Sequence, residues 1–151
     1  MIGGIDCSSK AVHLAIIDDE EAIVDLKKYG SKAKLAEARF YEILDQVYDD
    51  LSIIDISAAA IESAIYIQNA KATIAIASVV AGVKYGLHRG GISFAAVDNN
   101  TWKRQVLGRG NAKKSDIMDF AVDLWGDRFP EQDYADAACI ALWGKRYARE
   151  V

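Results

Sequence analysis

The sequence predicts an α/β protein: a mixed five-stranded sheet with helices packed on its faces. Three observations carry this. Short apolar runs bounded by turn residues fill the first thirty residues and recur near 57–62 and 92–97. Between and after them lie longer segments whose apolar residues repeat at helical spacing. Acids stand at the ends of two of the apolar runs, where open α/β sheets collect their chemistry.

Ile2 to Asp6 is the first strand, and Val12 to Ile17 the second, after a Ser-Ser-Lys turn. Asp18 to Glu21 makes the next turn, and Ala22 to Tyr29 reads as a third, more exposed strand of an antiparallel meander. Ser31 is a candidate helix N-cap. After it, Leu35, Ala36, Phe40, Ile43, Leu44, Val47 and Leu51 trace one face of an amphipathic helix. Ser57 to Glu62 is a short buried strand that ends abruptly in a carboxylate. The helix from Tyr66 to Tyr85 carries no charge between Lys71 and Lys84, so it sits in the core or faces another subunit. His88-Arg89-Gly90-Gly91 breaks it, and Ile92 to Val97 is the fifth strand. Helices follow around Thr101 to Leu107 and Lys113 to Trp125, then a last one from Glu131 to about Arg149, opened by Pro130.

Bulk properties narrow the function. With 151 residues, 52% hydrophobic and 26% charged, residues 1–151 suit one globular domain. No segment reaches the ~18 apolar residues of a membrane span, and no signal pattern opens the chain. No membrane partner is expected. Two cysteines, Cys7 and Cys139, suit a reduced cytoplasmic protein, and neither has zinc-ligand spacing to a partner. Net charge is −4, yet five basic residues (Lys103, Arg104, Arg109, Lys113, Lys114) cluster between 103 and 114 with no acid among them. Such a local patch sets the field at a docking face, so nucleic acid remains a candidate partner.

Asp133 and Asp136, spaced i, i+3, project from one face of the last helix. The small and apolar residues around them imply close packing on the sheet. Adding Asp6 and Glu62 makes four acids at one site. At ~5 Å and an effective dielectric of ~20, each like-charge pair costs roughly 3 kcal/mol, which hard divalent cations with oxygen ligands would relieve. Singly, each acid also has a plainer reading: Asp6 as a turn residue, Asp133 as a helix-start cap. The opening Gly3-Gly4-Ile5-Asp6-Cys7-Ser8-Ser9 also resembles the phosphate loop of actin-like sugar kinases, folds that need two such domains. In the basic segment, Lys113 and Lys114 fall at a helix start, where the macrodipole disfavours cations. Free amides around Gly108, Gly110 and Asn111 together with these lysines predict a phosphate site.

These residues together resemble the RuvC-type Holliday junction resolvases, nucleases of the ribonuclease H-like superfamily. The resemblance runs through Gly4-Ile5-Asp6, Ile61-Glu62 and Asn69-Ala70, then Trp102 to Ser115, and ends in Asp133-Tyr134-Ala135-Asp136-Ala137. It implies a ribonuclease H-like fold and a catalytic, metal-binding set of Asp6, Glu62, Asp133 and Asp136. The metal would be two Mg²⁺ ions per site, with Mn²⁺ able to substitute. The reaction implied is paired hydrolysis of DNA phosphodiesters at a four-way junction or other branched DNA. Lys103 and Lys114 match the family's basic residues near the cleaved strand, and Arg104, Arg109 and Lys113 join them as DNA-binding candidates. Paired cutting implies a homodimer, with the apolar helix after Glu62 as its interface. The chain departs from bacterial members three positions after the glutamate, where Ile65 replaces an aromatic. Tyr66, next to it, is the remaining candidate for base stacking, and sequence preference is expected to be weak. The departures suggest a phage-encoded branch acting in a bacterial cytoplasm. Two alternatives stay open: an RNA–DNA hybrid nuclease of the same fold, and an architectural protein that binds junctions without cutting.

Overall fold

In the computed structural model, which describes residues 1–65 and 67–149, five strands and five helices follow the order expected. β1 (Ile2–Cys7), β2 (Ala11–Ile17) and β3 (Ile23–Gly30) form the antiparallel meander. Its turns are built by side chains that imitate backbone acceptors. Ser8 Oγ accepts from the amides of Lys10 and Ala11, and Asp18 Oδ1 from those of Glu20 and Ala22. β4 (Ala58–Glu62) and β5 (Ser93–Val97) then add in parallel, giving the order β3-β2-β1-β4-β5. The sheet is mixed, as predicted.

Alternation along the strands sorts the two faces. Ile5, Val12, Leu14, Ala59 and Ile61 face α1 (Ala36–Leu51) and α2 (Ala70–Arg89), meeting Ile43, Leu44, Val79 and Val83. Ala15, Ile17, Ala60 and Val97 face α3 (Asn99–Leu107), α4 (Lys114–Trp125) and α5 (Gln132–Tyr147). α5 lies almost against the sheet backbone. A Cβ on Gly4 would stand 2.1 Å from the Ala137 carbonyl oxygen and 2.2 Å from the Ala141 nitrogen. Residues 137–142, with their three alanines, are all fully buried. The small-residue face of the last helix exists to permit this approach.

The structure corrects several boundaries. α1 begins at Ala36, so Ser31 is not its N-cap; its hydroxyl bonds Glu42 and its oxygen accepts from the Ala33 amide. α2 starts only at Ala70, capped by Asn69 Oδ1 on the Ala72 amide, and runs four residues past Tyr85. α3 opens at Asn99, because Asp98 Oδ1 accepts from the Thr101 amide. α5 ends at Tyr147. By length and composition alone α2 could cross a membrane, contrary to expectation. Its buried face nevertheless packs into the protein: Gly82 and Gly86 let α1 approach so closely that a Cβ there would meet Leu44 at 2.3 Å and Tyr48 at 2.6 Å. The opposite face is open, with Ile74 65% exposed. The alternatives of core helix and partner-facing helix thus divide between two sides of one element.

Candidate metal centre and nucleic-acid face

β1 and β4 run parallel, with Ile5 opposite Ile61, so both strands finish at the same edge. The next residue of each is an acid, Asp6 and Glu62. Both point to the α5 side, as Gly4 and Ala60 do two residues earlier. The first turns of α5 cross that edge and bring Asp133 and Asp136 with them. Carboxylate oxygens of Asp6, Asp133 and Asp136 all lie within 4.8 Å of one another.

Electrostatics register the crowding. Asp6 is pushed well above the ordinary carboxylate range, chiefly by burial, then by Asp136, Glu62 and Asp133. Burial likewise raises Asp136 to about 6, with Asp133 and Glu62 adding to it, although a hydrogen bond from Gln132 (3.0 Å) opposes the rise. Lys103 pulls both back. The donor set is all oxygen, negatively charged and under-compensated, which fits hard divalent cations. The expected cluster is therefore present, but its fourth member stands apart. Glu62 is close enough to repel Asp6 and Asp136, yet lies outside the three-acid group. Its Oε2 accepts from the Trp102 indole at 2.6 Å, and Asn99 Nδ2 reaches both oxygens at 3.3 Å.

Nothing in the residue pattern singles out Asn99 or Gln132, and Trp102 stands out only as part of the resemblance; a supporting amide looks like any surface amide until the fold is known. His13 had a signal. It is the one polar residue of the apolar run Ala11–Ile17, and the Ser8 turn pairs it with Asp6. It is buried, with Nε2 3.0 Å from Glu131 and Nδ1 3.9 Å from Asp133. Lys28 Nζ reaches the other Glu131 oxygen at 2.7 Å. That chain of groups anchors the start of α5 to the sheet.

The basic segment is less uniform than its sequence. Lys103 projects from α3 towards the acids, its Nζ 5.8 Å from the Trp102 ring centroid. Arg104, Lys113 and Lys114 are exposed. Arg109 is exposed too, but pairs with Asp116 at 3.1 Å. Asp116 also accepts from the Lys113 amide at 2.9 Å, and the Gly108 amide closes α3 on Arg104 O. Of the backbone donors expected for phosphate, the Gly108 amide is thus committed, and an acid just past the segment already offsets the helix-start lysines. Ile65 is half exposed beside Glu62, and Tyr66, the stacking candidate, lies outside the described residues.

Comparison with known proteins agrees with this architecture. The family model "Crossover junction endodeoxyribonuclease RuvC" matches residues 2–143. A Thermus thermophilus RuvC in complex with Holliday junction substrate superposes with a TM-score of 0.82 at 20% identity, covering 98% of this chain and 94% of that one. A second Thermus thermophilus RuvC structure gives 0.79 at 18% identity, covering 98% and 95%. No curated protein matches significantly.

Proposed function

This chain belongs to the RuvC family of crossover junction endodeoxyribonucleases, and from that premise we propose that Asp6, Glu62, Asp133 and Asp136 are its catalytic metal ligands and branched DNA its substrate. The observation that carries the reading is three carboxylates within 4.8 Å of one another, two of them raised by burial and then by the neighbouring acids. Two Mg²⁺ ions, replaceable by Mn²⁺, would when bound activate the attacking water and stabilise the leaving 3′ oxygen. Asp6, near the end of the middle strand, would hold the metal together with Asp133 and Asp136, and Glu62 would add a further carboxylate oxygen from the neighbouring strand. Lys103, beside the acids, holds the scissile phosphate against them, while Arg104, Arg109, Lys113 and Lys114 follow the backbone further out. Such contacts read shape and charge and carry no base information.

Resolution of a four-way junction needs two symmetric cuts, hence a two-fold dimer. The open side of α2 supports it: Ile74, Ala75 and Val79 line an apolar groove of about 350 Å³ with Phe40 of α1. Cys7 and Cys139, both free, suit a reducing cytoplasm.

The test is incubation with a four-way junction, a linear duplex and an RNA–DNA hybrid, with and without Mg²⁺. Only the junction should be cut, and only with metal. Asp6→Asn should still bind it and cut at least a thousandfold more slowly, roughly the loss of a catalytic charge worth ~4 kcal/mol. Wild-type rates from that variant would end the assignment.

A further inference from the structure

We propose that Trp102, seconded by Asn99, is a positioning residue that presents Glu62 to the metal centre, an inference that rests on the metal-ligand reading above. The geometry follows from register. Glu62 pairs with Val97 across the β4–β5 ladder, and two residues past Val97 the chain enters α3. Asp98 fixes that entry, since its carboxylate takes both the amide and the hydroxyl of Thr101. Asn99 and Trp102, spaced i, i+3, therefore leave one face of the helix directly at the Glu62 carboxylate.

Trp102 is fully buried, so its ring has a packing role in any reading. Its N–H adds something packing does not require. At 2.6 Å it is a short, charge-assisted bond to a carboxylate that Asp6 and Asp136 repel. Left to itself, a glutamate with three rotatable bonds would swing away from Asp6 and Asp136. An indole opposes that swing without cancelling the charge, because it is a neutral donor with no acceptor and no proton to lose. A lysine or arginine in its place would hold the carboxylate too, but would compete with a cation for it. Trp102 bonds Oε2 alone and Asn99 reaches both oxygens only at 3.3 Å, leaving lone-pair capacity on Oε1 for a cation.

The experiment measures Mn²⁺ binding by the whole protein without DNA, by electron paramagnetic resonance, so that cleavage is not the readout. Trp102→Phe keeps an aromatic ring and removes the donor, at the cost of some buried volume that a separate packing control must cover. It should bind Mn²⁺ about tenfold more weakly, the usual loss for an outer-sphere partner, and Asn99→Ala should lose less. In the Glu62→Gln background, Trp102→Phe should change nothing further. Ile117→Ala, in the same core cluster but away from Glu62, should lower the melting temperature and leave Mn²⁺ affinity alone. If Glu62→Gln weakens binding but Trp102→Phe does not, the positioning role fails while the metal centre stands. If Ile117→Ala weakens binding as much as Trp102→Phe, the effect is packing and the proposal falls. Unchanged binding by Glu62→Gln overturns both.

Discussion

At the scale of single residues, the acids set a conflict between folding and function. Asp136 titrates at about 6 in the folded protein, raised mainly by burial, against an ordinary value of 3.8. Between those values the folded state holds the proton more often than the unfolded state does. Stability therefore falls as pH rises through that window, and Asp6 acts in the same direction. Glu21, Asp50, Asp98, Asp116 and Glu131 are lowered and oppose it, so the comparison must be with a variant. Asp136→Asn should melt higher than wild type in chelator at pH 7.5, by roughly 1–3 kcal/mol, with the difference gone near pH 4. Added Mg²⁺ should stabilise wild type more than the variant. A variant no more stable than wild type at pH 7.5 would mean that the carboxylate was never under-compensated.

At the scale of elements, the approach of α5 to β1 decides whether the site exists. Gly4→Ala would drive a Cβ into backbone atoms of Ala137 and Ala141, which cannot yield unless the whole helix shifts. Overpacking of that kind costs about 1–3 kcal/mol or more, and any shift carries Asp133 and Asp136 away from Asp6. Gly3→Ala meets only side-chain ends, Leu14 Cδ1 at 3.0 Å and Ile56 Cδ1 at 3.2 Å. Calorimetry with Mn²⁺ should show binding lost in Gly4→Ala and kept in Gly3→Ala. Equal behaviour of the two would detach the site from this contact. The small-residue run beyond Asp136 announced such packing in the sequence, and the acids ending two strands announced the edge. The hold on Glu62 was not legible, because it depends on β4–β5 register and a helix start two residues earlier than Thr101. Nor was the fate of the basic loop: Asp116 lies outside the stretch that looked acid-free. That loop still separates two kinds of lysine. Lys103→Ala and Lys114→Ala should each lower the salt slope of junction binding by about one. At saturating DNA, Lys114→Ala should cut normally, whereas Lys103→Ala, which faces the acids, should stay slow. Recovery of both would make Lys103 a binding residue like the other.

At the scale of the whole molecule, α2 has the decisive surface. One side is locked to α1 by Gly82 and Gly86, and the other leaves Ile74 65% and Tyr85 55% exposed, with Leu35 and Tyr41 of the α1 region nearby at 74% and 56%. Because Ile74 points outward, Ile74→Glu should fold as wild type does, which separates assembly from stability. Across a two-fold axis the substitution is counted twice. Losing ~1.5–3 kcal/mol of burial per copy weakens association by two to four orders of magnitude, before any cost of facing carboxylates. Sedimentation at micromolar concentration should show a wild-type dimer and a monomeric variant with the same melting temperature. The consequence for catalysis is readable on a plasmid that extrudes a cruciform. Two cuts in one encounter linearise it, whereas a single cut only nicks it. Wild type should give linear product first, and Ile74→Glu nicked product at low enzyme, with each active site still intact. A wild-type monomer that nevertheless linearises the plasmid in one encounter would remove α2, and pairing itself, from the account.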